Sequence, residues 1–311
     1  MQGTHEYQGA DRNANILIDI NGQHFHRDQA KISVFDSGFI LGDGVWEGLR
    51  VERNTVLFLG RHLQRLFEGM KTLDFLPDFT RDDLSQRIYQ LLAANDMTDG
   101  VHIRLMVSRG VKSTPYQDPR MTVTPPTVVI IPEYKEALPQ TVEQGVRLYT
   151  VYVRRGYSDV QDPRLNTHSK LNCIGACIQA TKSGHDEALM LDPHGFVATC
   201  NSTHFFIVRH GEIWTSTGDY CLDGITRGKV LEVARAMGLV VKEKNFTLTE
   251  VYNAEEAFVT GTFAGLVPVT EVDGRLIGES GQRPMIHRLR ASFRDMVIAY
   301  IDGPGTEHRR A

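Results

Sequence analysis

Lys170 is followed by two short segments, Gly224-Ile225-Thr226-Arg227 and Thr260-Gly261-Thr262-Phe263. That order constrains the chain more than any other feature. It supplies one amine able to condense with a carbonyl and two glycine-hydroxyl turns able to hold an anion. Glycine lets the backbone come close, so successive N–H groups can converge on one phosphate. Where such a turn opens a helix, the helix dipole adds to the attraction. Arg227 to Met237 has a helical pattern ending at Gly238, so the first turn sits where a helix begins.

The rest of the chain alternates strand and helix signals. Ile16 to Ile20, Asn21-Gly22 and Phe25 onward form a hairpin pattern with a tight turn. Val45 to Arg53 and Val56 to Leu59 form a second around Arg53-Asn54. Leu63, Leu66, Phe67 and Met70 recur at helical spacing within Arg61 to Leu73. Thr80 to Asn95 reads as a helix capped by Thr80, with Asp82 and Asp83 in its first turn. Val101 to Ser108, Thr127 to Ile131 and Val146 to Val153 read as strands. Asp159 to Ser169 reads as a polar loop that delivers Lys170 to a helix running to Lys182. Strand signals follow at Ala188 to Leu191, His204 to Arg209, Glu212 to Thr215, Val240-Val241 and Glu256 to Thr260, with a closing helix from Met285 to Ala299. Pro132 to Gln140 is polar and holds two prolines, which suits an interdomain linker. The expected fold is α+β with an N-terminal domain over residues 1–132, a linker over 133–142 and a C-terminal cofactor-binding domain over 143–311.

A lysine able to form an imine, placed ahead of a phosphate cup, is the minimum apparatus for pyridoxal phosphate. Other segments stand in a fixed order around it: Asp36-Ser37-Gly38-Phe39, Gly42-Asp43-Gly44-Val45-Trp46-Glu47-Gly48-Leu49-Arg50, Arg61-His62-Leu63-Gln64-Arg65-Leu66, Asp186-Glu187-Ala188-Leu189-Met190-Leu191-Asp192, Leu222 to Arg227 and Thr260 to Val269. Together they resemble the class IV aminotransferases, the fold type IV pyridoxal-phosphate enzymes. That family includes branched-chain and D-amino acid aminotransferases, (R)-amine transaminases and aminodeoxychorismate lyases. The resemblance implies Lys170 as the catalytic lysine. It implies a cofactor held by Arg65, Thr199, Ile225, Thr226 and Thr262, and a substrate pocket with Trp46, His102, Arg104, Phe263 and Ala264. Leu41 also falls at a pocket position. The plainer alternatives are a surface lysine at a helix start, an arginine on a solvated helix face, a turn capped by Thr226, a structural salt bridge at Arg104, and a tryptophan that only packs the core. Lys182 is the nearest rival to Lys170, and it lies close to Gly184, where its helix ends.

One mismatch affects the chemistry. The family carries a glutamate against the pyridine nitrogen and an asparagine five residues on. Here Gly195 to His204 reads GFVATCNSTH, so Thr199 and His204 stand at those positions. A hydroxyl does not by itself favour the pyridinium cation, so a weaker electron sink is expected unless another acid, Glu187 or Asp192, turns inward. A tyrosine common after the lysine-helix asparagine is also absent, since Cys173 follows Asn172.

The leading expectation is transfer of an amino group between an amino acid or amine and a 2-oxo acid. Trp46 to Arg50 leans toward the branched-chain type, and Phe39 to Gly44 toward the D-amino acid type. The alternatives are a D-amino acid or (R)-amine transaminase, an aminodeoxychorismate-type lyase, and a pyridoxal-phosphate-binding protein with decayed chemistry. The resemblance also implies a homodimer or higher homo-oligomer with shared active sites. Composition narrows the rest. A net charge of −4 over 311 residues gives no case for a nucleic-acid partner. No apolar run is long enough to cross a membrane. Met1 to Asn15 is polar, lacks a signal-peptide core and reads as a loose tail. Cys173, Cys177, Cys200 and Cys221 bring no ligand spacing for a metal, and reduced thiols in a cytoplasmic setting are the default.

Overall fold

The computed structural model describes residues 5–278 and 282–303. The chain divides into two compact units. One comprises Tyr7–Glu136 and the short return Leu165–Ser169, and it is rejoined by the chain from Ala299. The other comprises Ala137–Arg164 and Lys170–Ile298, with the first residues of the chain. The break at Glu136 falls inside the expected linker, yet that stretch is ordered. The strand Thr127–Tyr134 runs into it, Glu136–Ala137 is a short strand, and Pro139 opens a helix to Gln144. Proline suits the first turn of a helix, where no N–H bond is lost. Of the expected loose tail, Met1 to Thr4 lie outside the described residues; Tyr7–Gln8 pairs as a strand with Glu136–Ala137, and buried Asn13 exchanges hydrogen bonds with the Tyr134 backbone at 3.0 and 2.8 Å.

The first unit is built on a six-stranded antiparallel sheet. Its order is Gln23–His26, Leu17–Ile20, Thr127–Tyr134, Val101–Ser108, Gly44–Glu52, Thr55–Val56. Both expected hairpins form, and both turns use the left-handed region, Asn21-Gly22 in one and Arg53-Asn54 in the other. Burial alternates along Gly44–Glu52 and Val101–Ser108, as a sheet with one packed face requires. Val45, Leu49, Ile103 and Leu105 face the core shared with the helices Leu59–Thr72 and Arg81–Ala94. The second helix starts as the sequence implies: Thr80 and Asp83 form a reciprocal capping box. The opposite sheet face carries Trp46, Gly48 and Arg50 beside Met106, Arg104 and His102.

Residues 165–169 lie along the edge of this sheet. Trp46 N–H donates to Asn166 O at 2.9 Å, Asn166 Nδ2 returns a bond to Trp46 O at 2.6 Å, and His168 N–H donates to Gly44 O at 2.9 Å. The expected polar loop therefore ends as a paired strap, which hands the chain to Lys170. The His168 ring lies against two glycines. A Cβ on Gly38 would meet its Nδ1 at 2.8 Å, and one on Gly44 would meet its Cε1 at 2.7 Å.

The second unit is built on a nine-stranded mixed sheet. Its main path runs Val197–Cys200, Glu187–Leu191, Val146–Thr150, Gly265–Val272, Glu256–Gly261, His204–Arg209, Glu212–Thr215, Val241–Glu243. Val197–Cys200 and Gly265–Val272 were not evident as strands in the sequence. Both are buried on each face over most of their length, so polar alternation is lost. Ala188 and Met190 pack against Ala176 and Ala180 of the helix Leu171–Lys182. Phe206 and Phe258 pack with Val230, Leu231 and Ala234 of the helix Ile225–Ala236, and with Ile286 and Leu289 of the closing helix Pro284–Asp302. No described helix is long and apolar enough to cross a membrane.

A methyl group on Gly44 has nowhere to go. Its Cβ would also stand 2.6 Å from Val107 O, which is backbone held in the sheet. We expect Gly44→Ala to cost about 1–3 kcal/mol in urea unfolding and to raise proteolysis within residues 165–169. An unchanged midpoint would mean that the strap is held elsewhere.

Candidate active site

Lys170 is half-buried and occupies the N-cap position of the helix Leu171–Lys182. It is the first residue of its unit after the paired strap, so its backbone is fixed on the N-terminal side by sheet hydrogen bonds and on the C-terminal side by a helix. Lys182 is exposed in the last turn of that helix, one helix length away.

The first glycine-hydroxyl segment is a helix start. Helix geometry begins at Ile225, two residues earlier than the sequence suggests, with Gly224 as N-cap. Glycine has no side chain, so no side-chain cap is made there, and helix starts of this kind can take an anion on their first amides. Thr226 is buried in the first turn rather than at the cap. Arg227 turns away: its Nη2 donates to Ser216 O at 2.7 Å and to Glu243 Oε2 at 2.9 Å, which ties the helix to the sheet. The second segment is the tip of a hairpin. Gly261 pairs with Gly265, Thr262-Phe263-Ala264 form the loop, and Gly265 takes a left-handed φ of 67°.

His204 joins the two segments. Its Nε2–H donates to Leu222 O at 2.7 Å, so the proton on that nitrogen is fixed by the carbonyl it faces. Gly224 is glycine for this reason and not for its backbone angles, which are extended: a Cβ there would stand 2.3 Å from the His204 ring. Thr260 lies directly opposite His204 in the neighbouring strand, on the same sheet face. It is fully buried and its hydroxyl has no hydrogen-bond partner. A buried unpaired hydroxyl beside an uncapped helix start suits a site built for a polar ligand.

Arg65, in the other unit, is not on a solvated face. Its Nε and Nη2 donate to the two oxygens of Glu47 at 2.8 and 2.6 Å. Glu47 is fully buried and also accepts from His62 Nδ1–H at 2.7 Å. Burial pushes the Glu47 pKa up, but the His62 hydrogen bond and the Arg65 charge outweigh it and hold the carboxyl below its usual value. Burial lowers the His62 pKa more than Glu47 raises it. This buried triad was not legible as a unit, although all three residues lie in quoted motifs.

Arg104 and Trp46 stack. The guanidinium carbon stands 3.8 Å from the indole centroid, and Trp46 Nε1–H donates to Thr167 O at 3.0 Å. Trp46 is therefore fixed by the strap and is not plain core. Burial lowers the Arg104 pKa while the Glu133 carboxylate opposes the shift; guanidinium stays charged. His102 shares the face, with Nε2 close to the position a Gly48 Cβ would take. Leu41 ends a short helix, Ser37–Leu41, and is partly exposed. All four cysteines are free, and no metal-ligand cluster exists among the described residues.

Residues 44–272 match the family model for class IV amino-transferases. The chain belongs to the class IV aminotransferase family. Among its relatives, a putative branched-chain-amino-acid aminotransferase of Methanocaldococcus jannaschii is 37% identical over 90% of this chain and 96% of that protein. Branched-chain-amino-acid aminotransferase-like protein 2 of Arabidopsis thaliana is 36% identical over 94% of this chain. The chain spans about half of that relative's length, 52%. Among solved structures, the branched-chain aminotransferase of Thermoproteus uzoniensis with norvaline superposes with a TM-score of 0.83 at 29% identity, covering 93% of this chain and 96% of the other. The enzyme of Thermobaculum terrenum in its PLP form gives 0.81 at 26%, covering 92% and 94%. The fold is that of the type IV aminotransferases, as the motif order implies.

In this class IV aminotransferase, Arg65→Ala leaves a buried carboxylate without its cation. Loss of one partner of such a pair costs roughly 3–5 kcal/mol. The depressed Glu47 pKa stabilises the fold above the unfolded carboxyl's pKa, and that contribution is lost as pH falls through the folded value. Removing Arg65 raises the folded value. Acid unfolding followed by circular dichroism should therefore begin at higher pH in the variant. An unshifted acid transition would mean that His62 alone holds the Glu47 charge.

Proposed function

We propose that this chain is a pyridoxal-phosphate-dependent aminotransferase of the branched-chain type. It moves an amino group between a small amino donor and a 2-oxo acid acceptor. The observation that carries this reading is the uncapped helix start at Gly224, with the buried unpaired Thr260 hydroxyl on the sheet face that packs against that helix, in the unit that holds Lys170. The donor set fits the cofactor. Amides of Ile225 and Thr226 with the hydroxyls of Thr226 and Thr262 would hold the phosphate, and Arg65 would add a guanidinium already oriented by Glu47. When bound, pyridoxal phosphate supplies an electron sink for the bond broken at the substrate α-carbon.

The chain's own groups do the rest. Lys170 Nζ would take the proton from the substrate α-carbon and return it. Arg104 would hold a carboxylate, with Trp46 as the flat wall that keeps the guanidinium from swinging. Phe263 and Ala264, at the hairpin tip, would bound the substrate. Two features support the branched-chain type: the run Trp46 to Arg50, and relatives of that name that match the chain along most of their length. A D-amino acid preference is the second reading, favoured by Phe39 to Gly44 and by the D-alanine aminotransferase of Listeria monocytogenes, 28% identical over 91% of this chain. A homodimer and a cytoplasmic setting complete the proposal; free cysteines support the latter. Sedimentation showing a fully active monomer would overturn the dimer.

Borohydride reduction of the pyridoxal-phosphate-loaded protein, followed by peptide mapping, should place the label on Lys170. A label on Lys182, or none, would overturn the site. A donor panel in both enantiomers should then show amine transfer from L-branched-chain donors. Transfer from D-alanine alone would favour the second reading, and pyruvate release with no amino group passed to the 2-oxo acid acceptor would indicate a lyase.

A further inference from the structure

The family's pyridine-nitrogen glutamate is a threonine here, and the structure shows what that threonine can do. Thr199 lies opposite Met190 in the strand pair, so the two share a sheet face. Met190 on that face packs against Ala176 and Ala180 of the helix whose N-cap is Lys170. Thr199 is therefore on the lysine's side of the sheet, and it is 5% exposed.

Its hydroxyl is committed. Thr199 Oγ1 stands 2.8 Å from the carbonyl oxygen of Thr203. A carbonyl has no hydrogen, so the hydroxyl is the donor, and a hydroxyl has only one proton. Toward any other neighbour Thr199 offers lone pairs alone. The arrangement is held in place. Glu187 Oε1 accepts from Ser202 N–H at 3.2 Å, Ser202 Oγ at 2.7 Å and Thr203 Oγ1 at 2.8 Å, which clamps the turn that presents the Thr203 carbonyl. Neither acid near in sequence takes the missing glutamate's place. Glu187 is bound to this turn from the opposite face, and Asp192 Oδ1 accepts from the backbone of His194 and Phe196 at 2.8 and 2.9 Å.

We infer that Thr199 acts as a pure hydrogen-bond acceptor toward the cofactor's ring nitrogen and so selects its protonated form. This rests on the cofactor reading proposed above. An unprotonated pyridine nitrogen is itself an acceptor, and two lone pairs facing each other repel. Turning the hydroxyl around would relieve that clash only by giving up its 2.8 Å bond to the Thr203 carbonyl, which would keep a single donor, Cys200 N–H at 3.0 Å. The pyridinium N–H meets both demands at once. The neutral hydroxyl thus favours the cation by geometry, where the family uses charge, and the weaker electron sink expected from sequence is offset.

The test is the 15N spectrum of protein reconstituted with pyridoxal phosphate labelled at the ring nitrogen, compared across wild type, Thr199→Ser and Thr199→Val. The serine variant keeps the hydroxyl and should match wild type at the pyridinium position. The valine variant keeps the shape, loses the acceptor and should move to the neutral-pyridine position at the same pH. The 31P signal of bound cofactor confirms loading in each. A neutral nitrogen in loaded wild type, or a loaded valine variant that stays at the pyridinium position, overturns the inference. Should the valine variant not fold, a pH titration of the wild-type 15N signal decides alone: a nitrogen that remains protonated above the pH at which the free cofactor loses its proton supports the inference, and one that does not overturns it. Failure of the underlying reading looks different, because no bound 15N or 31P signal appears at all, and that outcome overturns both.

Discussion

A helix that begins on glycine leaves its first amide hydrogens with no side chain to accept them. In this chain that helix is Ile225–Ala236, and much of the second unit is arranged around its start. His204 presses its ring on Gly224 and donates to Leu222 O, so the approach to the helix has one shape. Arg227 turns back to Ser216 and Glu243, which fixes the helix on the sheet. An anion placed there meets oriented dipoles that need no rearrangement, and the helix dipole favours it further.

Charge is managed differently in the first unit. Two arginines are held by short, oriented contacts rather than left in water. Arg65 is held by the buried Glu47 fork, and Arg104 by the face of Trp46. Each arrangement fixes a guanidinium before any ligand arrives, so less conformational entropy is lost on binding. The same indole is tied by Nε1 to the strap that leads to Lys170. A substitution at Trp46 should therefore disturb two things together, the orientation of the Arg104 guanidinium and the strap that leads to Lys170.

Much of this was legible in sequence. The hairpins showed because Asn21-Gly22 and Arg53-Asn54 tolerate left-handed backbone, and the helix over 81–94 showed because Thr80 and Asp83 advertise a cap. Motif order set Lys170 ahead of a helix start and a hairpin tip, and both elements are found there. What stayed hidden depends on contacts between residues far apart in the chain. The strand Val197–Cys200 has no polar alternation because both its faces are covered. The strap over 165–169 has no apolar pattern because its pairing is by backbone. Thr199 reads as a loss of charge in sequence, and only its 2.8 Å bond to Thr203 O reveals which way its proton points. Gly224 reads as a flexible residue, while its extended backbone and the His204 ring show that space is what it provides.

The central claim is that the Gly224 helix start holds a phosphate. The most direct measurement is the equilibrium binding of pyridoxal phosphate against unphosphorylated pyridoxal, in wild type and in Gly224→Ala. The phosphorylated ligand should bind wild type far more tightly. The alanine variant, whose Cβ would displace the His204 ring, should lose most of that difference while binding pyridoxal as before. Equal affinities for the two ligands in wild type, or an undiminished preference in the variant, would contradict the account.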